Sequence, residues 1–143
     1  MRWGQNSIAS IVDGGNAWGT LLFAPFRPST DPNEADGAGG DSGGPLFIRD
    51  GTRWELAGVM AAVDGPFKRF GTGDGFEAAI FDGRGLYRQD NARRWRLIEG
   101  LSDVPVGFYA TRISARVAWI DSILALPYRP PDPVLLPRPG RPQ

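Results

Sequence analysis

An all-β domain carrying one short C-terminal α-helix is the fold class this sequence predicts, on three observations. Its 143 residues include 20 glycines and 13 prolines, a density of turn formers that suits short strands joined by loops. Residues 20–26 form a continuous apolar run between Asp13-Gly14-Gly15 upstream and prolines downstream, as in a strand buried on both faces. Residues 45–49 and 53–63 flank Asp50-Gly51, a pair that accepts the positive φ of a tight hairpin turn at little steric cost. With 41% of residues hydrophobic and 11% aromatic, a single domain with a folded core is expected.

The elements follow in order. Residues 7–12 give a first strand, although Ile11 breaks strict alternation between Ile8 and Val12, and the strand at 20–26 comes next. From Arg27 to Gly44 nearly every residue is Pro, Ser, Asp, Asn, Ala or Gly, so a loop that positions something is expected there. The hairpin at 45–63 succeeds it. Residues 64–103 mix glycine, charge and aromatics with no sustained period and are expected to form a long surface insertion, with one or two helical turns at 91–100. Strand-like composition returns at 106–113. Ser114 then stands where it would cap a helix whose Val117, Ile120, Ile123 and Leu124 recur at helical spacing until Pro127 stops it. Seven of the last 17 residues are proline, so the domain is expected over 1–126 and a disordered or linker tail over 127–143.

Composition removes several kinds of chemistry. The chain has no Cys and no His, which excludes disulfides, Cys- or His-based metal centres and an imidazole general base of its own. Sixteen basic and 16 acidic residues balance, leaving no electrostatic footprint for nucleic acid or an anionic membrane. No apolar run approaches a membrane span, and the first ten residues lack the pattern of a secretory signal. No cofactor is expected: Gly71-Thr-Gly-Asp-Gly75 lacks the spacing of a phosphate-binding loop. Asp64, Asp74 and Asp82 stand in turn-forming Asp-Gly pairs and not in a metal-ligand pattern.

Chemistry concentrates at Gly39-Gly40-Asp41-Ser42-Gly43-Gly44-Pro45. A nucleophilic serine needs an exposed hydroxyl on a tight turn whose backbone N–H groups point where an oxyanion forms, and flanking glycines permit that geometry. A lone Gly-x-Ser-Gly would read as a glycine-rich turn entering a strand. The full string resembles the active-site segment of the chymotrypsin-like (trypsin family) serine proteases. Leu56-Ala-Gly-Val-Met60, Thr111-Arg-Ile-Ser114 and then Val117, Trp119 and Ile120 follow in that family's order, and Arg2-Trp3-Gly4 looks like its Trp-Gly turn. The resemblance covers roughly residues 2–124, interrupted by 64–103.

The resemblance implies the second, six-stranded Greek-key β-barrel of such an enzyme, of which about five strands are present, and the activity of a serine endopeptidase. It implies Ser42 as nucleophile, the N–H groups of Gly40 and Ser42 as oxyanion hole, and Ala61 and Ala62 as backbone offered to an extended peptide substrate. Asp36 would form the floor of the primary specificity pocket and favour Arg or Lys, although Asp36-Gly37 reads equally as a turn pair. Asp41 would be a buried carboxylate paired with a newly released N-terminal ammonium. The family's His and Asp lie in a first barrel preceding everything seen here, so the partners expected are a peptide or protein substrate and that missing barrel. The chain alone is then inactive. The alternative is a stand-alone pseudo-protease that binds protein or peptide through the same cleft. The absence of Cys suits a bacterial member, which with the family implies an extracellular or periplasmic protein.

Overall fold

β-Branched and aromatic residues between glycine-rich turns build eight strands in the computed structural model, which describes residues 4–27, 32–80, 82–100 and 106–127. In chain order these are β1 (Ser10–Asp13), β2 (Thr20–Pro25), β3 (Pro45–Asp50), β4 (Arg53–Val63), β5 (Phe67–Lys68), β6 (Tyr87–Gln89), β7 (Trp95–Leu97) and β8 (Gly107–Arg112). A four-residue helical turn, α1 (Gly15–Trp18), joins β1 to β2, and helix α2 (Val117–Leu124) follows β8. Arg2, Trp3 and the tail from 128 onward lie outside the described residues. No helix among the described residues is long and apolar enough to cross a membrane.

The main sheet is antiparallel, in the order β1-β2-β8-β4-β3. β2 is flanked on both sides, and Leu21, Leu22 and Ala24 are all buried in it, as an unbroken apolar run demands. Leu22, Ala24, Phe108 and Ala110 form the core, with Leu46, Ala57, Met60 and Val63 packed against it. β1 and β3 each have one strand neighbour, so among the described residues no strand covers either outer edge of the sheet. The hairpin differs by one residue from the sequence expectation: Asp50 pairs with Arg53, so Gly51 and Thr52 make the turn. Gly51 takes the positive φ of 55° that the first turn position requires.

Three further expectations are corrected. Residues 91–100 form no helical turn, because the Asp90 carboxylate accepts hydrogen bonds from the N–H groups of Ala92 and Arg94 at 2.9 Å each. That side-chain competition closes a reverse turn in place of a helix, and β7 folds back on β6. Ser114 does not cap α2. Residues Ile113–Ala115 form a 3-10 turn, Arg116 occupies the N-cap, and the Ser114 hydroxyl accepts from Arg112 Nε at 2.8 Å. The first strand starts at Ser10, later than the expected residue 7.

The insertion has structure of its own. β5, β6 and β7 form a second antiparallel sheet, whose Phe67 is 1% exposed and packs on Phe76 with ring centroids 5.9 Å apart. The strands on either side of the insertion, β4 and β8, pair at Val63 and Phe108. α2, by contrast, buries none of its residues. Its Val117, Ile123 and Leu124 present an apolar stripe to solvent, Leu124 at 76% exposure.

Candidate functional site around Ser42

Ser42 sits on a turn that glycine makes possible. Gly40 and Gly43, on either side, have φ of 105° and 88°, conformations that L side chains rarely adopt. The turn is closed by Asp41 N–H on the Ala38 carbonyl (3.1 Å) and Gly44 N–H on the Asp41 carbonyl (3.0 Å). Asp41 also accepts the Ala38 N–H on Oδ2 at 2.9 Å. Its side chain is exposed, which differs from the buried carboxylate that the resemblance implies, and a backbone N–H takes the role of partner.

The turn is clamped to β4. Gly43 N–H donates to the Met60 carbonyl and Met60 N–H to the Gly44 carbonyl, both at 2.8 Å. Directly after this clamp β4 bulges: Met60 pairs with Ala110 and Ala62 with Tyr109, leaving Ala61 extra. Such a bulge re-aims the strand beside a site. β3 runs only to the point opposite Val59, so Ala62 and Val63 pair with β8 on one side and residues 61–63 have no strand on the other among the described residues. The result is a short open strand edge next to Ser42.

A cleft of about 300 Å³ lies between them, and Gly40, Ser42, Ala61 and Ala62 all line it, together with Trp18 and Glu77. Ser42 is exposed. The N–H groups of Gly40 and Ser42 find no acceptor among the described residues, so both remain able to bind an anionic oxygen. Asp36 does not line this cleft. Its carboxylate is half-buried, accepts the Gly37 N–H at 2.7 Å and is approached by Asn6 Nδ2 at 3.4 Å. Burial above all, opposed by the Gly37 hydrogen bond, pushes its pKa up to about 7, with Glu34 and Asp64 adding repulsion.

Trp18 and Glu77 were not singled out by the sequence. Trp18 comes from α1, where no spacing marks it, and Glu77 from the insertion. The insertion reaches the site through a backbone strip: Gly39 N–H donates to the Glu77 carbonyl at 3.0 Å and Ala79 N–H to the Gly37 carbonyl at 3.1 Å. Beyond it lies a wider hollow of about 580 Å³, sharing Gly39 and Glu77 with the first and lined also by Lys68 and Trp95. Lys68 Nζ stands 4.3 Å from the Trp95 ring centroid, outside the Ser42 cleft. Among the described residues no three carboxylates gather as a metal site, and Asp64 is instead engaged by Gly107 N–H at 2.9 Å and Tyr109 hydroxyl at 3.3 Å. Neither a family model, nor a curated protein, nor a solved structure matches this chain.

Proposed function

We propose that the chain is the nucleophile-bearing part of a serine endopeptidase of the chymotrypsin-like kind, with the base and its orienting acid supplied by a separate folding unit. The observation that carries this reading is the shared cleft: an exposed Ser42, Gly40 and Ser42 whose N–H groups have no acceptor among the described residues, and the edge at 61–63 that no described strand covers border one space. A peptide laid along residues 61–63 would add a strand there, fixing the register of the scissile bond by backbone hydrogen bonds. Ser42 would attack the carbonyl carbon while the two N–H groups hold the developing oxyanion. No side chain in these 143 residues is an imidazole, so the proton of Ser42 goes to an external base. A sixth strand along β1 and β3, whose outer edges no described strand covers, would close the sheet as a Greek-key barrel.

The test is chemical rescue. The purified chain is treated with a sulfonyl fluoride, with and without added imidazole, and the labelled residue is located by mass spectrometry. Imidazole should accelerate labelling of Ser42 selectively, within the ~10²–10⁴-fold range of general-base assistance, and Ser42→Ala should abolish it. Labelling no faster at Ser42 than at other serines would leave only the pseudo-protease reading, in which the same strand edge binds peptide without cleaving it.

A further inference from the structure

Trp18 is delivered to the Ser42 cleft by a turn with several independent fastenings. Gly14 N–H donates to the Gly19 carbonyl at 2.7 Å, Gly19 N–H to the Gly15 carbonyl at 2.8 Å, and Gly15 N–H to Asp13 Oδ1 at 2.8 Å. From the far end of the chain Arg116 donates through Nη2 to the Trp18 carbonyl at 2.9 Å. Trp18 stands 48% exposed and is among the residues that line the cleft. Met60, Ala61, Ala62 and Val63 of β4 line the same space. The two alanines leave room that larger residues would fill.

We infer that the cleft beside Ser42 selects an apolar side chain, aromatic in preference, and that Trp18 is the residue that determines this choice. The inference rests on the proposed peptide-cleaving role and names its substrate class. Among the described residues Glu77 is the only ionisable one lining the cleft, and it is exposed, so solvent screens its carboxylate. Asp36, the residue the sequence marks for basic specificity, is engaged by Gly37 and Asn6 outside the cleft. A guanidinium or ammonium entering between Trp18, Met60 and Val63 would lose hydration and meet no buried carboxylate. A phenyl ring would bury its area against the indole and β4, and aromatic pairs add to that burial. Arg116 acts as a positioning residue, since its hydrogen bond fixes the backbone that carries the indole.

The experiment measures binding to the chain as it stands, by chemical-shift titration with acetyl-Ala-Ala-Phe-amide, acetyl-Ala-Ala-Arg-amide and acetyl-Ala-Ala-Ala-amide. The Phe peptide should bind about tenfold more tightly than either of the others, equivalent to ~1.4 kcal/mol. Trp18→Ala should reduce that ratio to about threefold or less, with the β2–β8 amide signals unchanged, and Arg116→Met should reduce it part of the way. Ala62→Leu provides a second variant that fills the cleft from β4 and should also abolish the preference. An Arg peptide binding as tightly as the Phe peptide, or a Phe preference that survives both Trp18→Ala and Ala62→Leu, overturns the inference and leaves the nucleophile reading intact. If no peptide binds while imidazole still directs labelling to Ser42, selection at this cleft is likewise overturned. Failure of both experiments removes the two readings together.

Discussion

The carboxylate of Asp41 accepts the backbone N–H of Ala38 at 2.9 Å, and this bond, between residues three apart, closes the turn that presents Ser42. An exposed acceptor of this kind has a modest net value, about 0.5–1.5 kcal/mol. Asp41→Asn keeps an oxygen in place and should change stability by less than about 1 kcal/mol. A carboxylate sealed in an ion pair would instead cost about 3–5 kcal/mol when its partner is lost. Urea denaturation of the variant distinguishes the two, and a loss above about 3 kcal/mol would show that Asp41 has a buried cationic partner.

Gly40 and Gly43 support a second prediction. Space is not their constraint, since a Cβ at either position would meet nothing within 4 Å. Their φ values of 105° and 88° are the constraint, and an L-residue held there is strained by about 1–3 kcal/mol. Gly40→Ala and Gly43→Ala should each lower stability by that amount and slow the imidazole-assisted labelling of Ser42. Unchanged stability in both would mean that the turn relaxes to another conformation at no cost.

Asp36 makes stability depend on pH. Its folded pKa of about 7 lies above the unfolded value of 3.8, so between those values the folded state holds a proton that the unfolded state has released. Stability is therefore greatest below about pH 4 as far as this group is concerned, falls as pH rises toward about 7, and levels off above it. Because the group is only half-buried, solvent screening reduces the effect to about 1–2 kcal/mol. Asp36→Asn should remove that slope and raise the melting temperature at pH 8. A variant whose stability tracks the parent across pH 4–8 would show that Asp36 ionises without penalty.

The insertion should unfold as a structured unit. Phe67, 1% exposed and packed on Phe76, anchors the second sheet, and Phe→Ala in such a site costs about 3–5 kcal/mol. Phe67→Ala should abolish amide-exchange protection in β5, β6 and β7 while protection in β2 and β8 persists. Equal loss in both sheets would mean that the two fold as one cooperative unit.

How much of this was legible depended on whether the cause was local. The unbroken apolar run of β2, the glycine in the β3–β4 turn and the helical spacing of Val117, Ile120, Ile123 and Leu124 are short-range patterns, and each element stands where its pattern lies. The β6–β7 hairpin was not legible, because it depends on the Asp90 side chain taking two backbone N–H groups, which composition alone does not reveal. The Ser42 turn was readable since its glycines are needed for positive φ. Trp18 and Glu77 were not, since proximity alone brings them to the cleft, through the Arg116 and Gly39 hydrogen bonds.

Asp64, which opens the insertion, and Gly107, which begins β8 beyond it, are stapled to one another: Asp64 N–H donates to the Gly107 carbonyl at 3.0 Å and Gly107 N–H returns a bond to Asp64 Oδ2 at 2.9 Å. Whatever lies between these two residues is a closed loop whose mouth is held by the main sheet. The entropic cost of such a loop rises by only about 0.6 kcal/mol for each doubling of its length. Descendants of this chain can therefore lengthen or shorten the turns between β5, β6 and β7 at little cost, as long as Phe67 and Phe76 keep the second sheet packed. The strip at Glu77 and Ala79 is the exception, since it touches the Ser42 loop, and it is there that variation in length would be read out as altered chemistry.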